Sequence, residues 1–324
     1  MELIQEPTNS TIKNKLSFIG EGGSLLGIML LNWVLSFFTL GLYYPWARVN
    51  KLKYIYGNTV LNDTPFIFHG TGKELFKGFL KFFALIVLVY GFYFYAFFSR
   101  EISLMIASVL LLLAFVCITI PFALHGAFRY RLSRTSWRGI HLGYRGERGQ
   151  LAYEFFVGFF LTLITFGIYS SWFMDKMRKY IIGNCRFGNL KFGYDGNGAD
   201  LFIIHLKAYL LMFPTLGIYY FWYRKEYLNY LINYTYIEQN GKKTHLKGSI
   251  TGGSFLSLSI INFVLTLFTL GIALPWVITR TMHFIINNIE VPQSIDFENI
   301  AQTEDEYLDA TGEDVLDYFD LGII

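Results

Sequence analysis

The chain has 324 residues, 53% of them hydrophobic, 19% aromatic and only 16% charged, with a formal net charge of +3. Soluble domains carry about a quarter charged residues, so this balance argues against a water-soluble domain and for lipid, where 33 Phe and 23 Tyr suit a membrane–water boundary. The body is basic, while the stretch after Glu290 is acidic and holds no Lys or Arg; cytoplasmic loops and anionic lipid explain such a body, and no nucleic-acid motif is present.

Met1 to Lys15 is polar and mixed in charge, so no cleavable leader is expected there. Six stretches then approach the roughly 20 apolar residues that a bilayer requires: Leu25–Tyr44, Gly78–Phe98, Ile102–Leu124, Leu151–Trp172, Leu201–Trp222 and Phe255–Trp276. Only Ser99, Arg100 and Glu101 separate the second from the third, which predicts a tight transmembrane hairpin. Cys117 lies in an apolar run and Cys185 in a polar loop, without the spacing of a metal site or a disulfide framework. Two topologies are open. Six full spans leave Lys176, Arg178, Lys179, Arg186 and Lys191 on the side opposite most basic loops, against the positive-inside rule. If some stretches instead enter and return at a Thr-x-Gly turn, nearly every basic loop falls on the cytoplasmic face.

That turn recurs. Four copies of Thr-[Leu/Phe]-Gly-[Leu/Ile]-x-x-x-Trp stand at Thr39–Gly41–Trp46, Thr165–Gly167–Trp172, Thr215–Gly217–Trp222 and Thr269–Gly271–Trp276. Nineteen residues before three of the threonines stand Gly20, Gly146 and Gly196, and fifteen after each comes an aromatic, Tyr54, Tyr180, Tyr230 or Phe284. Nineteen after come Asn58, Asn184 and Asn288, with Asn233 displaced in the third copy; Asn32 and Asn262 each stand seven residues before their threonine. A degenerate copy from Phe68 to about Ile140 opens with Gly70-Thr71-Gly72, carries the extra hairpin and reaches Thr119-Ile120-Pro121 in place of the full motif.

The expected fold is therefore mainly α: a polytopic helical membrane protein of about five tandem units, near 18–66, 67–140, 141–192, 193–245 and 246–290, followed by an acidic tail, 291–324. Each unit reads as a short β segment and a Gly-rich turn, with Ser24 or Asp200 near the helix start. An apolar helix follows, stops at Thr-x-Gly, and gives way to a second helix of Trp, Tyr and basic residues suited to the headgroup region. Pro45 and Pro275 suit the first turn of that second helix. Small β-hairpins join the units, most clearly at Asn240-Gly241, with Gly188-Asn189 and Asn62-Asp63 as further turns.

Thr39–Trp46, Tyr54, Asn58-Thr59, the run Phe66–Phe76 with its Gly-Thr-Gly-x-Glu-Leu-Phe, and Thr135–Ile140 carry a resemblance. Over nearly its whole length, including the ending near Asp314–Gly322, the chain resembles the YjgN-like family of bacterial inner-membrane proteins of unknown function. The resemblance implies a multi-pass protein of the bacterial inner membrane and brings no activity with it. Ser171 and Phe221 replace the motif's proline in two copies, so that proline is not required in every unit.

Polar groups within apolar stretches are the candidate functional residues, since each needs a partner or a wet cavity in lipid. Glu154, His205 and Lys207 form the candidate ion or solute route, with end-of-helix snorkelling as the plain alternative. Asn32 and Asn262 read as interhelical hydrogen-bond partners. Arg129, Arg131, Arg134 and Arg138 suit anionic lipid headgroups, although positive-inside topology alone would account for them. The four Trp read as interfacial anchors, and the Gly-x-Gly helix starts as plain caps more than as anion sites. No Gly-x-Ser-x-Gly, His-Glu-x-x-His or phosphate loop occurs, so neither catalysis nor a metal or cofactor is expected. The tail is either solvated or docked on a basic face of its own chain or a partner. Transport or permeation of a small solute or ion is the leading functional expectation, from repeats with broken helices. A non-enzymatic membrane scaffold or lipid-binding protein is the second.

Overall fold

The computed structural model describes residues 14–303, so the acidic tail from Glu304 onward lies outside the described residues. In chain order the elements are β1 (Leu16–Phe18), α1 (Gly22–Phe38), α2 (Tyr44–Gly57), β2 (Thr59–Leu61), β3 (Thr64–Pro65), β4 (Ile67–Phe68), α3 (Gly72–Ser99) and α4 (Ile102–Ser133). There follow β5 (Thr135–Trp137), β6 (Ile140–Tyr144), α5 (Arg148–Ile164), α6 (Ser170–Gly183), β7 (Cys185–Phe187), β8 (Leu190–Tyr194), α7 (Gly198–Met212) and α8 (Tyr220–Asn233). The last are β9 (Thr235–Gln239), β10 (Lys242–His245), β11 (Lys247–Gly248), α9 (Gly252–Phe268), α10 (Leu274–Asn287) and β12 (Ile289–Glu290). The protein is mainly helical. Among the described residues only α3 and α4 are helices long and apolar enough to cross a bilayer. The other four apolar stretches each break into two helices at their Thr-x-Gly turn.

Those four turns share one geometry. The threonine hydroxyl donates one turn back, to the carbonyls of Leu35, Leu161, Leu211 and Leu265 at 2.6–2.7 Å. It also accepts from the N–H four residues on, of Tyr43, Tyr169, Tyr219 or Ala273, at 3.0–3.1 Å. One side chain thus serves a C-terminal carbonyl of one helix and an orphan N–H of the next. The next residue (Leu40, Phe166, Leu216, Leu270) is left-handed, and the glycine has φ between 85° and 90°, a region where only glycine escapes a Cβ penalty. Pro45 and Pro275 occupy the first turns of α2 and α10, where no N–H is missed. Helix starts are capped by Thr71, Asn197 and Thr251, not by Ser24 or Asp200.

Each helix packs on the next along the chain, and α10 packs back on α1, so the ten described helices close a ring. The motif tryptophans occupy the joints. A Cβ on Gly72 would lie 2.3 Å from the Trp46 ring, one on Gly198 2.5 Å from Trp172, one on Gly252 3.0 Å from Trp222, and one on Gly22 2.3 Å from Trp276. Tyrosines staple four of the five hairpins to their own entries, while the fifth has Phe284 at that position: the hydroxyls of Tyr54, Tyr130, Tyr180 and Tyr230 donate to the carbonyls of Glu21, Thr71, Glu147 and Asn197 at 2.6–3.3 Å. The side-chain amides of Asn58, Asn184 and Asn288 close the second helix by donating to the carbonyl four residues back.

Below the helices the strands run antiparallel in the orders β1-β2-β3, β10-β9-β8-β7-β6-β5-β4 and β11-β12. In every hairpin the strand entering the first helix pairs with the strand leaving the second. Asn62-Asp63 and Asn240-Gly241 turn with φ positive at both positions, as two-residue hairpins require. Leu61, Trp137, Phe187, Leu190 and Ile237 form the strand layer's core together with Ile295, Phe297 and Ile300 from the segment after β12.

Candidate functional site

The groups singled out from sequence have separate partners. Glu154 on α5 accepts from Gln150 at 3.1 Å. Lys207 on α7 is exposed and lies 3.7 Å from Glu226 on α8. His205 turns the other way, its Nδ1 2.8 Å from Ser171 Oγ on α6 and its ring tilted against Tyr223 and Tyr227 at 5.9 Å. No described hydrogen bond or ion pair joins the three. Asn32 ties α1 to α2, donating to Ala47 O at 3.2 Å and accepting from Asn50 at 3.1 Å. Asn262 ties α9 to α10 through Thr281 at 3.1 Å.

The polar site that does form lies between α6, α7 and α8. On α6, Ser171, Asp175 and Arg178 follow at four and three residues and so share one face. Asp175 is only 6% exposed; Lys179 approaches its Oδ2 at 4.0 Å, and its Oδ1 has no hydrogen-bond partner among the described residues. Arg178 donates through Nη2 to the Tyr227 hydroxyl, and its buried Nη1 has no hydrogen-bond partner among the described residues. Tyr227 is flanked by the guanidinium groups of Arg178 and Arg224, 5.1 and 5.6 Å from its ring centre. Tyr194, at the end of β8, is buried beside the carboxylate; burial first, then Tyr230 and Asp175, hold its phenol far above the ordinary value. An unmatched buried carboxylate oxygen costs several kcal/mol unless a proton, a hydrogen-bond donor or a cation meets it. Burial raises the pKa of the Asp175 carboxyl in this seam, against the lowering pull of Lys179 and Arg178.

Comparing the hairpins locates the seam. Five residues before the stapling aromatic stand Val49, His125, Asp175, Lys225 and Thr279. Val49 packs with Phe68 in an apolar joint. Where the position is His125 or Asp175, the facing aromatic is a tyrosine: Tyr144 lies edge-on to His125 at 5.4 Å, as Tyr194 lies beside Asp175. Burial also pushes the neighbouring Cys185 thiol up to about 12. In sequence Ser171 stands out only as a replaced proline and Arg178 only as a loop cation, and neither Asp175 nor Tyr227 is marked, because α6 and α8 read as basic, aromatic interfacial helices. The available signal was the acidic residue at a repeat position held elsewhere by Val49 or Thr279.

Of the arginine cluster, Arg134 pairs with Glu74 at 3.2 Å. Arg138 pairs with Glu298 at 3.1 Å and lies over Trp137 at 4.4 Å. Arg129 and Arg131 are half-buried on the last turns of α4. Trp46 and Trp172 stack with Tyr43 and Tyr169 and pack on Phe76 and Phe202, so the motif tryptophans join hairpins as well as meeting their surroundings. Among the described residues no three His, Cys, Asp or Glu converge on a point where a metal could be held.

The chain matches, over residues 13–221 and 226–318, the model of a family described as "Bacterial protein of unknown function (DUF898)". It is similar to the Inner membrane protein YjgN of Salmonella typhimurium strain LT2, 34% identical over 130 residues that make up 40% of this chain and 31% of that protein. The Inner membrane protein YjgN of Escherichia coli O157:H7 is 29% identical over 127 residues, 39% of this chain and 30% of the relative. These matches thus span less than a third of either relative. No solved structure matches the chain.

Proposed function

The chain belongs to the bacterial DUF898 family, and we propose that it is an inner-membrane protein of five tandem hairpin units that seats itself mainly in one leaflet and binds anionic lipid there without catalysis. One observation carries the seating in the membrane. The tips of the four short hairpins bear no charge and hold up nearly bare apolar side chains: Leu40 is 94% exposed, Phe166 99%, Leu216 93% and Leu270 92%. Such side chains belong in hydrocarbon, and the tip N–H groups are bonded within the turn, as Leu40, Gly41 and Leu42 are to Phe37, Ser36 and Thr39, so the turn can enter there.

Depth follows from helix rise. From Lys81 to Arg100 the α3 axis advances about 28 Å at about 1.5 Å per residue, close to a full hydrocarbon core of about 30 Å. From Glu154 to the tip at Thr165 the α5 axis advances only about 16 Å, roughly one leaflet. The α3–α4 hairpin then crosses alone, the other four are re-entrant, and strands and basic loops share one face, which positive charge assigns to the cytoplasm. The YjgN relatives are named inner-membrane proteins, which supports the location. Ser171, 1% exposed, shares a hydrogen bond with His205 but leaves no approach for a carbonyl substrate, which supports a non-enzymatic role.

Single cysteines probed with a membrane-impermeant maleimide test the topology. Lys191→Cys is expected to label only in inverted vesicles and Leu40→Cys from neither side; labelling of Leu40→Cys from outside would overturn the re-entrant reading. Native mass spectrometry is expected to retain anionic over zwitterionic phospholipid, and equal retention would count against lipid binding. The second reading, solute or ion permeation, draws support from the Asp175–Arg178 seam. It predicts a flux in proteoliposomes that Asp175→Asn lowers; a flux indifferent to that change would sink it.

A further inference from the structure

After β12 the chain crosses the strand layer as a strap, residues 291–303, with no backbone pairing to any strand among the described bonds. Side chains hold it. Gln239 Nε2 donates to Asp296 O at 2.8 Å, and Asp296 N returns the bond to Gln239 Oε1 at 2.9 Å. Gln302 accepts from His141 N at 2.8 Å, Thr303 Oγ1 donates to Gly188 O at 2.9 Å, and Glu298 meets Arg138. Asn14 Nδ2 donates to Pro292 O and Ile295 O at 2.8 Å each. Ile295, Phe297 and Ile300 drop into a cup walled by Leu61, Trp137, Phe187, Leu190 and Ile237, from β2, β5, β7, β8 and β9. A cleft of about 550 Å³ follows the strap's edge, lined by Asn189, Gln239, Lys242, Ser294, Asp296 and Asn299.

We propose that this cup is a docking surface for an extended peptide, that its resting occupant is the chain's own Val291–Thr303, and that this strap leaves the cup as a unit while the strand layer stays folded. A segment without a backbone ladder breaks fewer hydrogen bonds on leaving than a strand does, so it can open locally while the strands stay paired. Docked, the strap ties the end of the last hairpin to strands of the first four, and so latches the ring. Released, it uncovers an apolar cup that recognises the spacing Ile-x-Phe-x-x-Ile. Tethering gives the chain's own segment an effective concentration on the order of millimolar, so a competitor must match that. The inference does not depend on the lipid reading, since neither the cup nor the strap touches the hairpin tips.

The test uses the full chain in nanodiscs. In the unaltered protein, amide hydrogen exchange in residues 293–302 is expected to run at least about tenfold faster than in β7 and β8. A fluorescent synthetic peptide of Val291–Thr303 is expected to bind the Phe297→Ala variant saturably and the unaltered chain about tenfold more weakly. With Gln239→Cys and Asp296→Cys joined by a disulfide, in a chain whose Cys117 and Cys185 are alanine, binding should vanish and return on reduction. Strap amides as protected as those of β7 and β8 would overturn the proposal without any variant. So would a peptide that binds the locked chain as well as it binds Phe297→Ala.

Discussion

At the scale of single residues, each joint's chemistry is set by two side chains that face each other. Val49 and Phe68 share an apolar cluster, whereas Asp175 beside Tyr194 buries a carboxylate with one oxygen unpartnered among the described residues. Replacing a buried ionic group by apolar residues of fitting shape is commonly neutral or stabilising by about 1–4 kcal/mol. The triple change Asp175→Val, Arg178→Leu and Tyr194→Phe, which copies Val49, Leu52 and Phe68 of the first joint, is therefore expected to raise stability by about 1–3 kcal/mol in micelle denaturation. A loss above about 2 kcal/mol would mean that the carboxylate is matched by a bound group. His69 gives a pH dependence. Burial first, then His141, Arg134 and Lys53, hold its imidazole below the ordinary value. A histidine whose folded value is depressed favours the native state while neutral, so its contribution is whole above about pH 6.5 and is lost on acidification through and below that value. Melting temperature should fall from pH 7 to 5.5 in the unaltered chain and less steeply in His69→Gln; parallel slopes would refute the assignment.

At the scale of elements, a single threonine holds both ends of each tip. Thr215 Oγ1 donates to Leu211 O at 2.6 Å and accepts from Tyr219 N at 3.1 Å. Thr215→Val keeps the shape and removes both bonds, which by the value of a cap is expected to cost about 0.5–2 kcal/mol. Gly217 has φ 85° with open space around its Cβ position, so Gly217→Ala is a pure backbone test, expected to cost about 1 kcal/mol. Chemical denaturation in one detergent checks both, and a neutral Thr215→Val would mean that water reaches the tip and satisfies the freed groups. The threonine and glycine of these turns were legible because two small residues at fixed spacing must perform one backbone task. Helix caps were less so: Asn197 accepts from Ala199 N, while the nearby Asp200 lies inside the first turn of α7.

At the scale of the whole molecule, ring closure is a noncovalent joint chemically like the covalently linked ones. Trp276 meets Gly22 across the closure as Trp46 meets Gly72 within the chain, both with a Cβ position 2.3 Å from the indole. His283 Nε2 adds a bond to Gly20 O at 3.0 Å. Gly22→Val and Gly72→Val are each expected to cost about 1–3 kcal/mol by overpacking, to within about 1 kcal/mol of one another. A neutral Gly22→Val beside a costly Gly72→Val would show that the ring opens at α1–α10 in solution.

The sequence by itself determined what is local or periodic: an apolar, aromatic composition that needs lipid, the long α3–α4 pair on either side of Ser99-Arg100-Glu101, the Thr-x-Gly turns and the family motifs. Helix rise, glycine φ and hydropathy act over a few residues, so they are written in runs and spacings. The tertiary structure decided whatever joins distant positions. It gave Trp276 the glycine of the first hairpin, and it set Asp175 between Arg178 and Tyr194 while parting Glu154, His205 and Lys207. It also laid Ile295, Phe297 and Ile300 into the strand layer's core, although their stretch reads as part of an acidic tail. Such pairings depend on which faces meet when the hairpins close on one another, and no single segment carries that information.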